Sequence, residues 1–309
     1  MNRFILLRVA VGLLALLAAL PAFSQKVNWP TKPVRFIVPF PPGGTTDPLA
    51  RLVGARLTAA LGQQFIVDNR PGASGSLGAG IAARAIPDGY TYLFVFDTHG
   101  VNPSLIPNLP FDTVKDLAPV MLIATAPMAI ATNAAKPFRS FGDVIKLAKA
   151  KPGTVTYGSI GSGSLGHLTM TLVQETGGFR IVHIPYKGGG PMTVDALGGN
   201  IDLAIGTVAL LTPHVKGGKL RAIAVTGNQR SGALPDVLSL AEQGFSGFSA
   251  LAWWGVFTPA GTPKPILDKF HAELVKVFSL PDVRAQLTET LGMDLVVSSP
   301  VELQKFLVA

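Results

Sequence analysis

The sequence predicts an α/β protein built from two similar units with a ligand cleft between them. Three observations carry this. Short β-branched and aromatic runs alternate with helical runs; the alternation restarts halfway along the chain; and each half sets a glycine-rich turn between its first strand and the next helix. Such a rhythm argues parallel strands with both faces covered.

In the first unit, Val34–Val38 is a buried-type strand bounded by Pro33 and Pro39. A turn, 41–47, leads into a helix over 48–61, where Leu49, Leu52, Val53, Leu57 and Leu61 recur at helical spacing and Gly62 ends the run. A strand over 64–68, a glycine-rich turn at 70–80, a helix of small residues and a strand over 90–96 follow. The apolar run 121–132, interrupted by Pro127, is long enough to cross from one sheet to a second. The second unit then reads as helix 141–150, strand 154–157, Gly/Ser loop 158–166, helix 167–176, strand 181–185, loop 186–191, a helix to Leu197 and strand 201–205. Leu220–Thr226 is a return strand, 253–258 another strand, and 265–279 and 300–307 are amphipathic helices.

Composition narrows the function. The chain has 309 residues, 48% of them hydrophobic, enough for a full core. It has no cysteine, which excludes disulfide scaffolds, Cys-ligated metals and thiol nucleophiles. The net charge is +8, but no basic run exceeds two residues, so no nucleic-acid partner is expected. An excess of positive charge suits an anionic small ligand, weakly. Residues 1–24 read as a signal peptide: Arg3 and Arg8, a 12-residue apolar core over 9–20, and small residues Ala22 and Ser24 before a cut at Gln25. That core is too short to span a bilayer, so the mature protein is expected to be periplasmic.

The two matched turns are the candidate chemistry. Each lies at the carboxyl end of a strand and opens a helix, where backbone N–H groups and the helix dipole favour an anion. Gly43, Gly44, Gly161, Gly163 and Gly166 allow close approach of the backbone to a carboxylate or phosphate; the alternative is that both are merely tight turns. Asp47, in the first helical turn, is expected to cap N–H groups and hold the loop. Ser159, Ser162, Ser164, Thr98 and Thr207 are loop hydroxyls able to donate to carboxylate oxygens or to brace their own turns. His99 and His167 sit near strand ends or helix starts facing the cleft. Gly161–Gly166 formally matches G-x-G-x-x-G, but the ribose-binding acid expected about 20 residues on is replaced by 186–188, Tyr-Lys-Gly. No nicotinamide or other cofactor is expected. No His pair has metal-ligand spacing, and neither a nucleophile elbow nor a Walker sequence occurs.

The segments WPTKPVRFIVPFPPGGTTDPLARLV, VDNRPGASGSLGAGIAARAIPDGYTYLF, NPSLIPNLPFDTVKDLAPV, YGSIGSGSLGHL, IPYKGGGPMTVDALGGNIDLAIG and LRAIAVTGNQRSGALPDVLSLAEQGFSGF together resemble the Bug family. These are the extracytoplasmic solute receptors of tripartite tricarboxylate transporters, and the matches run in order through nearly all of the mature chain. The resemblance implies a two-lobed, type II-like periplasmic-binding-protein fold that closes like a flytrap over a small carboxylate and is read by membrane permease subunits. It implies that Phe40, Pro42, Gly43, Gly44 and Asp47 belong to a loop that holds a carboxylate through backbone groups and water. It also implies that the loop carrying Ser159, Gly161, Ser162, Gly163, Ser164 and His167 contributes from the other lobe, and that Thr98 and the Gly206–Thr207 turn face the ligand. Family members generally continue past SPVELQKFL through more helix, whereas this chain stops at Ala309.

The expected organisation is a monomer with a first lobe of residues 25–126 and 250–309, a second of 127–249, and hinges near Pro127 and Phe248. Two rival functions stand beside uptake: an orphan receptor presenting its ligand to a sensor kinase, and an exported hydrolase using His99 or His167.

Overall fold

The computed structural model describes residues 28–247 and 249–308; the signal-peptide reading and the hinge position Phe248 fall outside them. In the first lobe the chain forms β1 (Val34–Val38), α1 (Thr46–Leu61), β2 (Phe65–Asn69), α2 (Ser76–Ala83), β3 (Thr91–Phe96) and α3 (Thr98–Leu105). It continues through β4 (Leu117–Asn133), α4 (Phe141–Ala150), β5 (Thr156–Ser159), α5 (Leu165–Gly177), β6 (Val182–Pro185), α6 (Gly189–Gly198), β7 (Leu203–Thr207), α7 (Val208–Lys216) and β8 (Leu220–Val225). It returns as β9 (Leu251–Pro259), α8 (Lys264–Ser279), α9 (Pro281–Ala285), β10 (Asp294–Leu295) and α10 (Pro300–Val308).

Local chemistry explains most of these limits. α1 turns its Leu49, Ala50, Val53 and Leu57 face onto the sheet and stops where Gly62 takes a left-handed conformation. α4 starts at a reciprocal capping box between Ser140 and Asp143. α3 and α7 were not expected from sequence, because Gly100 and Pro103 interrupt the first and Pro213 the second. Both form because the chain, leaving a strand end, must turn back over its own sheet.

β1 pairs in parallel with β2 and β3, placing Phe36 opposite both Val67 and Tyr92. The expectation of purely parallel sheets does not extend further: β9 inserts antiparallel between β3 and β4. The order runs β2-β1-β3-β9-β4, then β7-β5-β6 beyond β4. The 17-residue strand β4 belongs to both lobes. Residues 117–127 pair with β9, and residues 128–133 pair with β7 and β8. The apolar run therefore crosses between two strand groups, as its length predicts. A second crossing is laced to it: Met128 N donates to Thr226 Oγ1 at 2.9 Å, Thr226 N to Met128 O at 3.0 Å, and Thr226 Oγ1 to Ala250 O at 2.6 Å.

Each lobe packs its own apolar layer. In the first, Tyr92 stacks on Phe270 at 3.7 Å and Phe36 lies 4.7 Å from Phe94, all buried. In the second, Phe141 meets Phe179 and Phe245 edge-on, above buried Met170 and Val173. The two layers join in one apolar cluster through Ile123, Met128 and Ile130 of β4, and the site lies among the loops where the lobes face each other.

Candidate ligand cleft

Three helices begin where the lobes face each other. α1 opens after Thr45, α6 after Gly188 and α7 after Thr207; only the last of these capping residues places its side chain on a helix N–H, Thr207 Oγ1 accepting from Leu210 N at 3.1 Å. The helix starts border one cavity of about 30 Å³ through Gly44, Thr45, Thr46, Gly189, Gly206 and Thr207. Its other wall is apolar: Phe40, Phe96, Met128, Ile160 and Leu210. None of the lining residues is charged, so the positive potential comes from backbone N–H groups and helix dipoles.

A second compartment of about 190 Å³ lies beyond Phe40 and Ile160, which border both. Its wall includes Ser74, Gly161, Ser162, Tyr186 and Lys187, and Lys187 is the one cationic side chain lining either space. The larger groove of about 670 Å³ near Pro127 gathers Arg230 and Arg284 but no helix start, and Arg230 is already paired with Glu242 at 2.8 Å.

The lobes are in direct contact. Ser74 Oγ donates to Ser162 O across the cleft at 3.1 Å, and Asn102 Nδ2 donates to Ser74 O at 2.9 Å. Gly43 has φ +88°, and a Cβ on Gly190 would lie 2.7 Å from Pro42 O, so backbone meets backbone there with no room for a side chain. The first cavity is consequently only about as large as one or two waters.

Of the residues singled out from sequence, Phe40, Gly44, Gly206 and Thr207 meet in the first cavity, and Gly161 and Ser162 line the second with Phe40. Gly43 borders a neighbouring space on the outer side of α1. Pro42 stands at the lobe contact beside Gly190. Asp47 does not turn back to cap its helix: its carboxylate pairs with Arg51 and accepts from Asn69, which also donates to Phe40 O. It thus holds the loop from behind. Thr98 and His99 are buried behind Phe40 and Phe96 in α3 rather than in an open loop. Burial drives His99 down to about 3 and keeps it neutral, its ring centroid 4.9 Å from that of Phe257.

The Gly/Ser loop braces itself. Ser159 Oγ lies 2.7 Å from His183 Nε2, Ser164 Oγ donates to Gly161 O, and Gly163 N donates to His167 Nδ1 at 3.0 Å. The two imidazoles stack at 4.1 Å, and burial pushes both below the usual range, His183 to about 4 with His167 adding to its shift. Ser159 and Ser164 are fully buried and committed to these bonds. Gly163 packs near Leu105. The cavity wall that sequence reasoning missed is the Gly188–Gly190 turn. It carries the same signal as the other loops, glycines between a strand and a helix.

A two-lobed α/β fold, with helix starts converging on the lobe interface, defines a solute-binding protein. Residues 49–309 match the model of the tripartite tricarboxylate transporter family receptor, and the chain belongs to that family. It is 37% identical to BugT of Bordetella pertussis over 269 residues, 86% of this chain and 82% of BugT. Among solved structures it resembles the periplasmic binding protein BugD, with TM-score 0.86, 32% identity, and 91% of this chain and 94% of BugD covered. It also resembles an R. palustris protein solved with adipate, with TM-score 0.87, 33% identity, and 91% and 94% covered. The family and fold are those of binding proteins rather than enzymes. Among the described residues no helix is long and apolar enough to cross a membrane.

Proposed function

We propose that the mature protein is a periplasmic receptor that captures a small carboxylate and presents it to the permease subunits of a tripartite transporter. The observation that carries this is the convergence of three helix N-termini on a cavity without a charged wall. One carboxylate sits on the amides at Gly44–Thr46, Gly189 and Gly206–Thr207, and the carbon chain lies along Phe40 and Ile160. A second carboxylate, where the ligand has one, reaches the compartment of Lys187. That the R. palustris neighbour is solved with adipate supports this reading.

The lobes are residues 25–126 with 250–309, and 127–249. They move about the β4 crossing at Pro127 and the return crossing after Thr226, and ligand contacts from both sides favour the closed form. A thermal-shift screen of residues 25–309 against mono-, di- and tricarboxylates tests the reading. A true ligand at a hundredfold excess over its Kd adds about 2.7 kcal/mol to stability. A panel in which only uncharged solutes raise the midpoint would refute it.

A further inference from the structure

Asp97, at the carboxyl end of β3, has no role in the cleft described above, yet its surroundings are unusual. It is 3% exposed, and neither of its carboxyl oxygens has a hydrogen-bond partner among the described residues. The groups bearing on it are the backbone amides of Thr98, its neighbour, and Leu165, the first residue of α5 in the opposite lobe; both favour the ionised form, and the loss of water on burial outweighs them. Around it the lobes touch through Ser74 and Ser162 and through Leu105 beside Gly163. Part of what covers it therefore comes from the opposite lobe. An unpaired carboxyl in such a place is costly when ionised.

We propose that Asp97 is a protonatable latch: closing the lobes withdraws its carboxyl from water against the start of α5, so that solute capture takes up one proton. The inference rests on the lobes opening and closing as proposed above. Among the described residues no charged side chain opposes the carboxyl. The titratable groups on the helices packed there are His99 on α3, held neutral by burial, His167 on α5, whose charged form burial disfavours, and the exposed Glu175 in the last turn of α5; β4, β9, the 72–75 turn and the 158–166 loop contain none.

The sign follows from linkage. In the open form the carboxyl is hydrated and titrates in the ordinary range, about 3.9. In the closed form burial raises it to about 8. Between these values the closed form holds a proton that the open form lacks, and each pH unit downward favours closure by up to about tenfold. Above about 8 both forms are ionised, and closure strands a charge in the interior.

The chain has no cysteine, so Lys115→Cys with Val194→Cys, both exposed and on opposite lobes, gives two unique labelling sites. Pulsed electron-resonance distances between spin labels, from pH 5 to 9, with and without adipate, read the closed fraction. The expected result is a ratio of short to long distances that climbs up to about tenfold per unit as pH falls from 8, and that loses its pH dependence when Asp97→Asn is added. Equal pH dependence with and without Asp97→Asn, or none in either, overturns the latch. Should Asp97→Asn fail to fold, Asp97→Ser replaces it and is read the same way. A pH-driven change with no response to adipate supports the latch and counts only against adipate as a ligand. One fixed distance under every condition removes the motion, and the latch with it.

Discussion

The two glycine-rich loops that look alike in sequence do different work. The 41–47 turn meets α1 at Thr45, whose side chain leaves the N–H groups of α1 uncapped and instead accepts a hydrogen bond from Trp254 Nε1 at 3.2 Å. The 158–166 loop meets its helix at Ser164, which accepts from His167 N, while Ser159 pairs with His183 and Gly163 N donates to His167. The first therefore offers free donors to a guest, and the second is a braced wall. What separates them is whether neighbouring side chains have already taken the helix start, a local matter of capping that composition does not reveal.

The contrast can be broken most forcefully where the first loop meets the Gly188–Gly190 turn. Gly190→Val puts side-chain atoms into the position now filled by Pro42 O. Overpacking of this kind costs about 1–3 kcal/mol. Because the clash arises only on closure, calorimetry with a ligand from the panel should show affinity falling roughly 5- to 150-fold while circular dichroism is unchanged.

Caps sharpen the same contrast. Ser164→Ala and Thr207→Ala each remove an N-cap worth about 0.5–2 kcal/mol, and both should unfold at lower urea. Only Thr207→Ala, which also alters the cavity wall, should weaken ligand binding; an equal loss of affinity in Ser164→Ala would show the second loop to be a ligand loop after all.

Acid tests the brace. His183 and His167 titrate below their ordinary value of 6.5 in the folded chain, because burial disfavours their charged forms. The unfolded chain thus binds protons first as pH drops. The stabilisation is complete above about 6.5 and is lost as pH falls towards about 4. Comparing urea midpoints at pH 7.5 and 5, His183→Gln should show a smaller acid loss than the parent.

The smallest effect belongs to Lys187, which is exposed and screened. Lys187→Gln should weaken a dicarboxylate about 1.4- to 5-fold, in line with an exposed ion pair of 0.2–1 kcal/mol, and leave a monocarboxylate unchanged. Titrations of adipate and hexanoate in parallel provide the check.

Much of this molecule is legible in its residues. Val34–Val38 announces a buried strand, the Leu49–Leu57 spacing a helix face, and the run through Pro127 a crossing between sheets, because each is a property of a short window. The same holds for the Phe40–Gly44 loop, where glycine and proline fix the backbone locally. Long-range placement was not legible. The antiparallel insertion of β9 depends on residues more than 130 positions apart coming together at Val256 and Met121. The role of Asp47, the withdrawal of His99 into an apolar setting and the pairing of His167 with His183 depend on which neighbours the fold supplies.

Sequence by itself therefore determined the elements, the two-unit plan and the presence of amide-rich turns, since helix periodicity, strand patterning and glycine conformations are set within a few bonds. The tertiary structure alone decided which turns keep their donors free and which acid is sealed between the lobes. Capping, desolvation and close approach are properties of what lies across space, and a linear chain does not state its distances.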